Sequence, residues 1–134
     1  MPAGITPPYL NIPGTSSLVR AVLDSFEAVA DYFGPGLDDT AKITSLIQSL
    51  QAGEYQRDTL ADLLEVFASE LDTPDGARSQ INKLRQSDSL VVFAGQQPGL
   101  FSGPLYSIYK ALTAEHWAVA MSEKYALTVV PCFW

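Results

Sequence analysis

The chain has 134 residues, 47% of them hydrophobic, which gives room for one domain with a genuine core and argues against a disordered tail. Fifteen acidic against eight basic residues leave a formal net charge of −7 without a Lys/Arg cluster, which excludes binding along a nucleic-acid backbone. One cysteine, Cys132, excludes an internal disulfide framework and cannot form a metal site by itself. There is no basic n-region with an apolar core and no run of eighteen apolar residues, so a reducing, cytoplasmic setting without membrane contact is expected.

Residues 1–14 contain four prolines and two glycines and read as an extended arm, with Tyr9, Leu10 and Ile12 able to pin it down. A helical lead of about four helices is expected over residues 15–86. In the first, Thr15, Ser16 and Ser17 offer N-caps, and Leu18, Val22, Phe26, Val29 and Phe33 keep helical spacing until Gly34-Pro35-Gly36. Asp38, Asp39 or Thr40 caps a second, with Ile43, Ile47 and Leu50 on one face and Gly53 at its end. A third runs from Tyr55 to Leu71 and carries Leu60, Leu63, Leu64 and Phe67. Thr73-Pro74 ends it and opens a fourth over Asp75–Arg85. The boundary of the lead is expected at Gln86–Ser89.

Residues 87–134 read as the start of a parallel core of α/β class. The spacing predicts a strand over 89–94, where Leu90-Val-Val-Phe-Ala94 is continuously apolar and suits a parallel strand covered on both faces. Three glycines and one proline make 95–103 a long loop. Pro104 fits the first helical position, with Ser102 or Gly103 as the cap. The helix is expected over 104–122, laying Leu105, Ile108, Tyr109, Leu112, Val119 and Ala120 on the sheet and fraying near Ser122–Lys124. Apolar, partly β-branched residues predict a second strand over 126–133. Strand, crossover helix and strand form a βαβ unit with parallel strands. Two strands alone leave edges and faces open, so the chain reads as truncated.

Ligands of such sheets bind beyond the C-terminal strand ends. There the 95–103 loop and Cys132-Phe133-Trp134 share a crevice, and a glycine-rich loop opening a helix favours an anion or polar ligand. Lys110 lies about 9 Å along the helix axis from Pro104. Side chains on a helix lean toward its N-terminus, so its ammonium reaches back toward the loop, and Tyr106 stands one turn away on the same face.

For several of these residues two readings stand. Gly95, Gln96 and Gln97 form either a tight turn with amides satisfying the loop backbone or a cradle suited to a sugar hydroxyl or carboxylate. Gly99 and Gly103 either supply positive φ or admit a ligand closely. Lys110 is either a solvated helix residue or a partner for a substrate carboxylate or nucleotide phosphate. Tyr106 is a candidate hydrogen-bond donor, while Tyr109 belongs to the apolar stripe. His116 reads as a packed, hydrogen-bonded residue and Cys132 as a small buried hydrophobe.

Known phosphate motifs fail letter by letter. The G-x-G-x-x-G pattern needs glycine where Gln97 and Leu100 stand, and the P-loop needs Gly-Lys-Ser/Thr where Gly103-Pro104-Leu105 stand. Phe101-Ser102-Gly103-Pro104 occupies the place of the His-x-Gly-His motif of nucleotidyltransferases but lacks both histidines.

The run Val92-Phe-Ala-Gly-Gln-Gln-Pro-Gly-Leu-Phe-Ser-Gly-Pro-Leu-Tyr-Ser-Ile-Tyr-Lys-Ala-Leu-Thr-Ala114, followed by Val130-Pro-Cys-Phe-Trp134, closely resembles the bacillithiol biosynthesis cysteine-adding enzyme family, BshC. The resemblance implies a Rossmann-like core with further helical and coiled-coil parts, a longer polypeptide, and a carbon-nitrogen ligase that joins L-cysteine to glucosaminyl malate as an amide. It also implies a homodimer for the full-length form. The alternative is an inactive remnant or small-molecule binding module that keeps part of the cleft. Substrate binding is assigned to Gly95, Gln96, Gln97, Gly99, Ser102, Gly103, Tyr106 and Lys110. No metal and no general base are assigned. The carboxylate needs activation by phosphoryl or adenylyl transfer, from ATP or another nucleotide, and the residues do not specify which. His116 and Cys132 stand where the family pattern calls for neither.

Overall fold

The computed structural model describes residues 12–36, 39–97 and 99–134. It is of α/β class, with helices α1 (Ser17–Asp24), α2 (Thr40–Gln51), α3 (Arg57–Glu70) and α4 (Asp75–Lys83), strand β1 (Leu90–Ala94), helix α5 (Leu105–Tyr125) and strand β2 (Val129–Phe133). The expected arm lies largely outside the described residues, as do Asp38 and Pro98.

Two compact units are present, divided between Ile47 and Gln48. Hydrogen bonds tie the segment Gln86–Ser89 to its neighbours. Gln51 Nε2 donates to Asp88 O at 3.2 Å, Arg57 Nη1 to Ser89 Oγ at 2.7 Å and Thr128 Oγ1 to Gln86 Oε1 at 2.6 Å. Ser89 is 1% exposed and its hydroxyl donates onward to Leu84 O, so burying it requires these partners.

In the first unit, Ser16 Oγ caps α1 by accepting from Val19 N. The helix expected to reach Phe33 stops at Ser25, where φ −145° and ψ 50° leave the helical region, and two 3-10 turns follow. The reason is an aromatic contact. Phe26 and Phe33 have ring centroids 6.3 Å apart, whereas seven residues of straight helix would separate them by about 10 Å along the axis. Asp39 Oδ1 caps α2 by accepting from Lys42 N at 3.0 Å. That N–H, followed by the Lys42 ammonium, holds the Asp39 carboxyl below its usual range.

In the second unit, Arg78 clamps α4 to the end of α3. Its guanidinium donates to Ala68 O at 2.8 Å and Thr73 O at 3.2 Å and pairs with Glu65 at 3.2 Å. β1 and β2 are parallel, in register from Leu90 opposite Val129 to Ala94 opposite Phe133. Leu90 N donates to Thr128 O and Trp134 N to Ala94 O, so the even-numbered residues of β2 face β1. Pro131, which has no N–H to offer, faces away from β1, and the ladder loses nothing by it.

α5 packs on both strands. Its buried residues are Ser107, Ala114 and Ala118. The stripe expected on the sheet is instead exposed, with Leu105 at 63%, Leu112 at 45% and Val119 at 53%. At 100° per residue the two sets lie on opposite sides of the helix. Small side chains let α5 approach the sheet closely, so volume rather than apolarity selected the face.

Pro104 is the cap of α5, with φ −68° and ψ 153°, so the helix begins at Leu105, one residue later than expected. The helix does not fray at Ser122–Lys124 but continues to Tyr125 and closes on Ala126 in the left-handed conformation. No helix among the described residues is long and apolar enough to cross a membrane.

Candidate functional site

The loop after β1 is anchored to the end of β2. Gln96 N donates to Trp134 O at 3.0 Å and Trp134 N to Ala94 O at 3.1 Å, which carries the parallel ladder past both strand ends. A Cβ on Gly95 would lie 3.0 Å from Trp134 Nε1 and 3.0 Å from Trp134 O, so glycine permits this approach. Phe93, Ala94, Gly95, Gln96, Gln97 and Trp134 line an open cavity of about 710 Å³ at the C-terminal strand ends. Its wall is mostly aromatic and backbone, and none of these side chains titrates near neutrality.

α5 holds the rim from behind. Lys110 Nζ donates to Gly95 O and, at 3.2 Å, to Gln96 Oε1, while Gln96 Nε2 donates to Tyr106 Oη at 2.7 Å. Lys110 is thus neither a freely solvated residue nor an uncommitted charge facing the cavity. It ties the helix to the loop, and Lys110 and Tyr106 stand beside the cavity rather than in its lining.

The remaining loop residues set its shape. Gly103 has φ +75°, a region costly for any side chain. Gly99 is extended at φ −144°, but a Cβ there would stand 2.7 Å from Gly103 Cα. The two glycines therefore let the loop fold onto itself. Ser102 belongs to the 3-10 turn Leu100–Ser102, and its side chain lies outside the described atoms. Phe101, at the middle of that turn, is left-handed with φ 52° and ψ 47°.

Of the eight residues assigned to binding, the structure brings Gly95, Gln96, Gln97, Tyr106 and Lys110 to one rim, with Gly99 and Gly103 shaping the loop behind it. Phe93 and Trp134 were absent from that assignment, although both stand at strand ends, where a ligand of such a sheet binds. Ser107 was also missed. Its hydroxyl is buried without a hydrogen-bond partner, 3.5 Å from where a Gly103 Cβ would stand. A polar residue in the first turn of α5 was the available signal.

His116 is exposed, contrary to the packed histidine expected, because the stripe it borders faces outward. Cys132 is half-buried on β2, and burial pushes its thiol pKa up, away from the reactive thiolate.

Residues 6–134 match the family described as bacillithiol biosynthesis BshC, N-terminal Rossmann-like domain. Three curated relatives carry the name "Putative cysteine ligase BshC". The one from Geobacillus thermodenitrificans is 32% identical over 92% of this chain and 23% of its own length. That from Geobacillus kaustophilus is 35% identical over 84% of this chain and 21% of its own length. The relative from Heliobacterium modesticaldum is 40% identical over 60% of this chain and 16% of its own length. The chain thus spans roughly a fifth of the length of the curated relatives it matches.

Proposed function

The chain belongs to the bacillithiol biosynthesis BshC family through its N-terminal Rossmann-like domain, and from that premise we propose that it forms part of the substrate cleft of an amide-forming ligase. The reaction joins the carboxyl of L-cysteine to the amine of glucosaminyl malate. Amide formation from a free carboxylate is uphill in water, so the carboxyl is first activated by phosphoryl or adenylyl transfer, with ATP or another nucleotide as donor.

The observation that carries the reading is the rim itself. Gly95, Gln96 and Gln97 are held open between Trp134 and the Lys110–Tyr106 face of α5. Gly99, Ser102 and Gly103 supply the turn that presents them. The Gln97 side chain, exposed in the lining, can donate and accept at once, as a sugar hydroxyl or carboxylate requires. The aromatic walls of Phe93 and Trp134 supply contact area. With no general base in the lining, the part these residues play is to bind and orient.

The same observation supports a second reading, a small-molecule binding module without turnover. Calorimetric titration with glucosaminyl malate, cysteine and a nucleotide in turn tests both. Saturable binding of glucosaminyl malate, weakened at least about fivefold by Gln97→Ala with the melting temperature unchanged, is the expected result, since one neutral hydrogen bond contributes about 1 kcal/mol. Absence of binding by all three ligands would remove the site. Within a full-length family member carrying this domain, amide formation on adding a nucleotide separates the ligase from the binding module. The cytoplasm, where the thiol pool is reduced, is the compartment proposed for this chemistry, and a homodimer is proposed for the full-length form.

A further inference from the structure

We propose that Tyr106 is the residue through which the rim grips a carboxylate of its ligand, and that Lys110 and Gln96 are positioning residues that turn its hydroxyl outward. This rests on the reading of the rim as a substrate site.

Hydrogen-bond polarity carries the inference. An ammonium has three donors and no acceptor, so only the oxygen of the Gln96 amide can face Lys110, as it does at 3.2 Å. The amide nitrogen is thereby fixed toward Tyr106 and donates to Oη at 2.7 Å. Gly95 O and Gln96 Oε1 both accept from Lys110. Among the described residues the Tyr106 hydroxyl accepts from Gln96 and donates no hydrogen bond. With the residue 52% exposed, it turns toward solvent at the rim.

What the cluster then offers is mainly donors beside one positive charge. One hydrogen of Lys110, one of Gln96 Nε2 and the Tyr106 O–H remain, all of them donors. Lys110 is also the only cation between Arg85 and Lys124 in a chain of net charge −7. A ligand meeting this surface must bring acceptors and a negative charge. One ammonium already engaged with two oxygens matches a singly charged carboxylate better than a phosphate dianion. A neutral sugar hydroxyl brings no charge and only one acceptor group.

The test is an NMR titration of the isotopically labelled 134-residue chain with malate, inorganic phosphate and methyl glucoside. Malate should saturably shift the Gln96 side-chain amide and the Tyr106 ring. Tyr106→Phe should weaken malate binding about tenfold while leaving the Gly95 and Gln97 resonances in place, since charge-assisted hydrogen bonds are roughly twice as strong as neutral ones. Lys110→Met should erase the Gln96 side-chain signature seen without ligand, and Lys110→Arg should restore it.

Unchanged malate affinity in Tyr106→Phe, with Gly95 and Gln97 still responding to ligand, overturns the inference and leaves the binding site standing. Phosphate binding more tightly than malate, or methyl glucoside shifting the same resonances equally, overturns the carboxylate assignment. If no ligand moves any rim resonance, this inference and the functional reading both fail.

Discussion

The face of α5 that lies on the sheet carries Ser107, Ala114 and Ala118, whereas the opposite face carries Leu105, Ile108, Tyr109, Leu112 and Val119. Apolarity alone would have the larger residues inside. The inner face is chosen by how near the helix axis must come to two adjacent strands, and a methyl group on the inside permits an approach that an isobutyl group would block. The outer face leaves large apolar side chains exposed at 43% to 63%. A stability measurement therefore reads the two faces with opposite sensitivity to size.

The largest expected effect follows from that contrast. Ala118, 2% exposed, should tolerate no enlargement, and Ala118→Leu should destabilise the second unit by about 3 kcal/mol in urea denaturation, at the upper end for overpacking. Leu112→Ala on the outer face should change stability by less than about 0.5 kcal/mol. Equal losses from the two substitutions would break the contrast.

Next comes the turn that starts both faces. Gly103→Ala should cost about 2 kcal/mol, because φ +75° with ψ −164° is open essentially to glycine alone. The same denaturation measurement checks it, and a neutral result would remove this turn as a fixed point of the loop.

A smaller effect is expected at the side of α5 between the two faces. Lys110→Met should lower global stability by less than about 1 kcal/mol, as its bonds lie at an exposed rim. Amide exchange at Gln96 should nevertheless accelerate, since the N–H bonded to Trp134 O sits on the loop that Lys110 tethers. Unchanged exchange would show that the Trp134 ladder holds the rim without the lysine.

The smallest effect is the pH response of Cys132. Burial raises its folded pKa, so the unfolded chain loses the thiol proton first as pH rises. Stability from this group is complete below the unfolded thiol pKa and is lost as pH climbs through the raised folded value. Cys132→Ala should flatten that alkaline decline, and a thiol-alkylating probe should react more slowly with the folded chain than with the unfolded one.

Local signals made much of this architecture legible. The run Leu90–Ala94 was apolar and β-branched enough to read as a parallel strand, though not one covered on both faces, since Phe93 is 68% exposed, and Asp39 and Ser16 stood where helix caps belong. The rim was legible too, because Gly95-Gln-Gln at a strand end and Tyr106 and Lys110 one turn apart are fixed by chain order and helix pitch. The break at Ser25 was not, since a contact between Phe26 and Phe33 overrode a helical pattern of apolar residues. Nor was the role of Lys110, because reach toward a loop does not say which acceptor will receive the ammonium.

What the residues determined unaided was therefore one-dimensional: the βαβ order, the caps, the glycine loop and the family resemblance of its motif. Tertiary structure alone decided which face of α5 met the sheet, where the two units divide, and that Lys110 bonds the loop instead of facing the cavity. Periodicity and propensity act between near neighbours in the chain. Close packing and hydrogen-bond satisfaction are settled between residues far apart in it, as with Trp134 against Gly95 and Arg57 against Ser89.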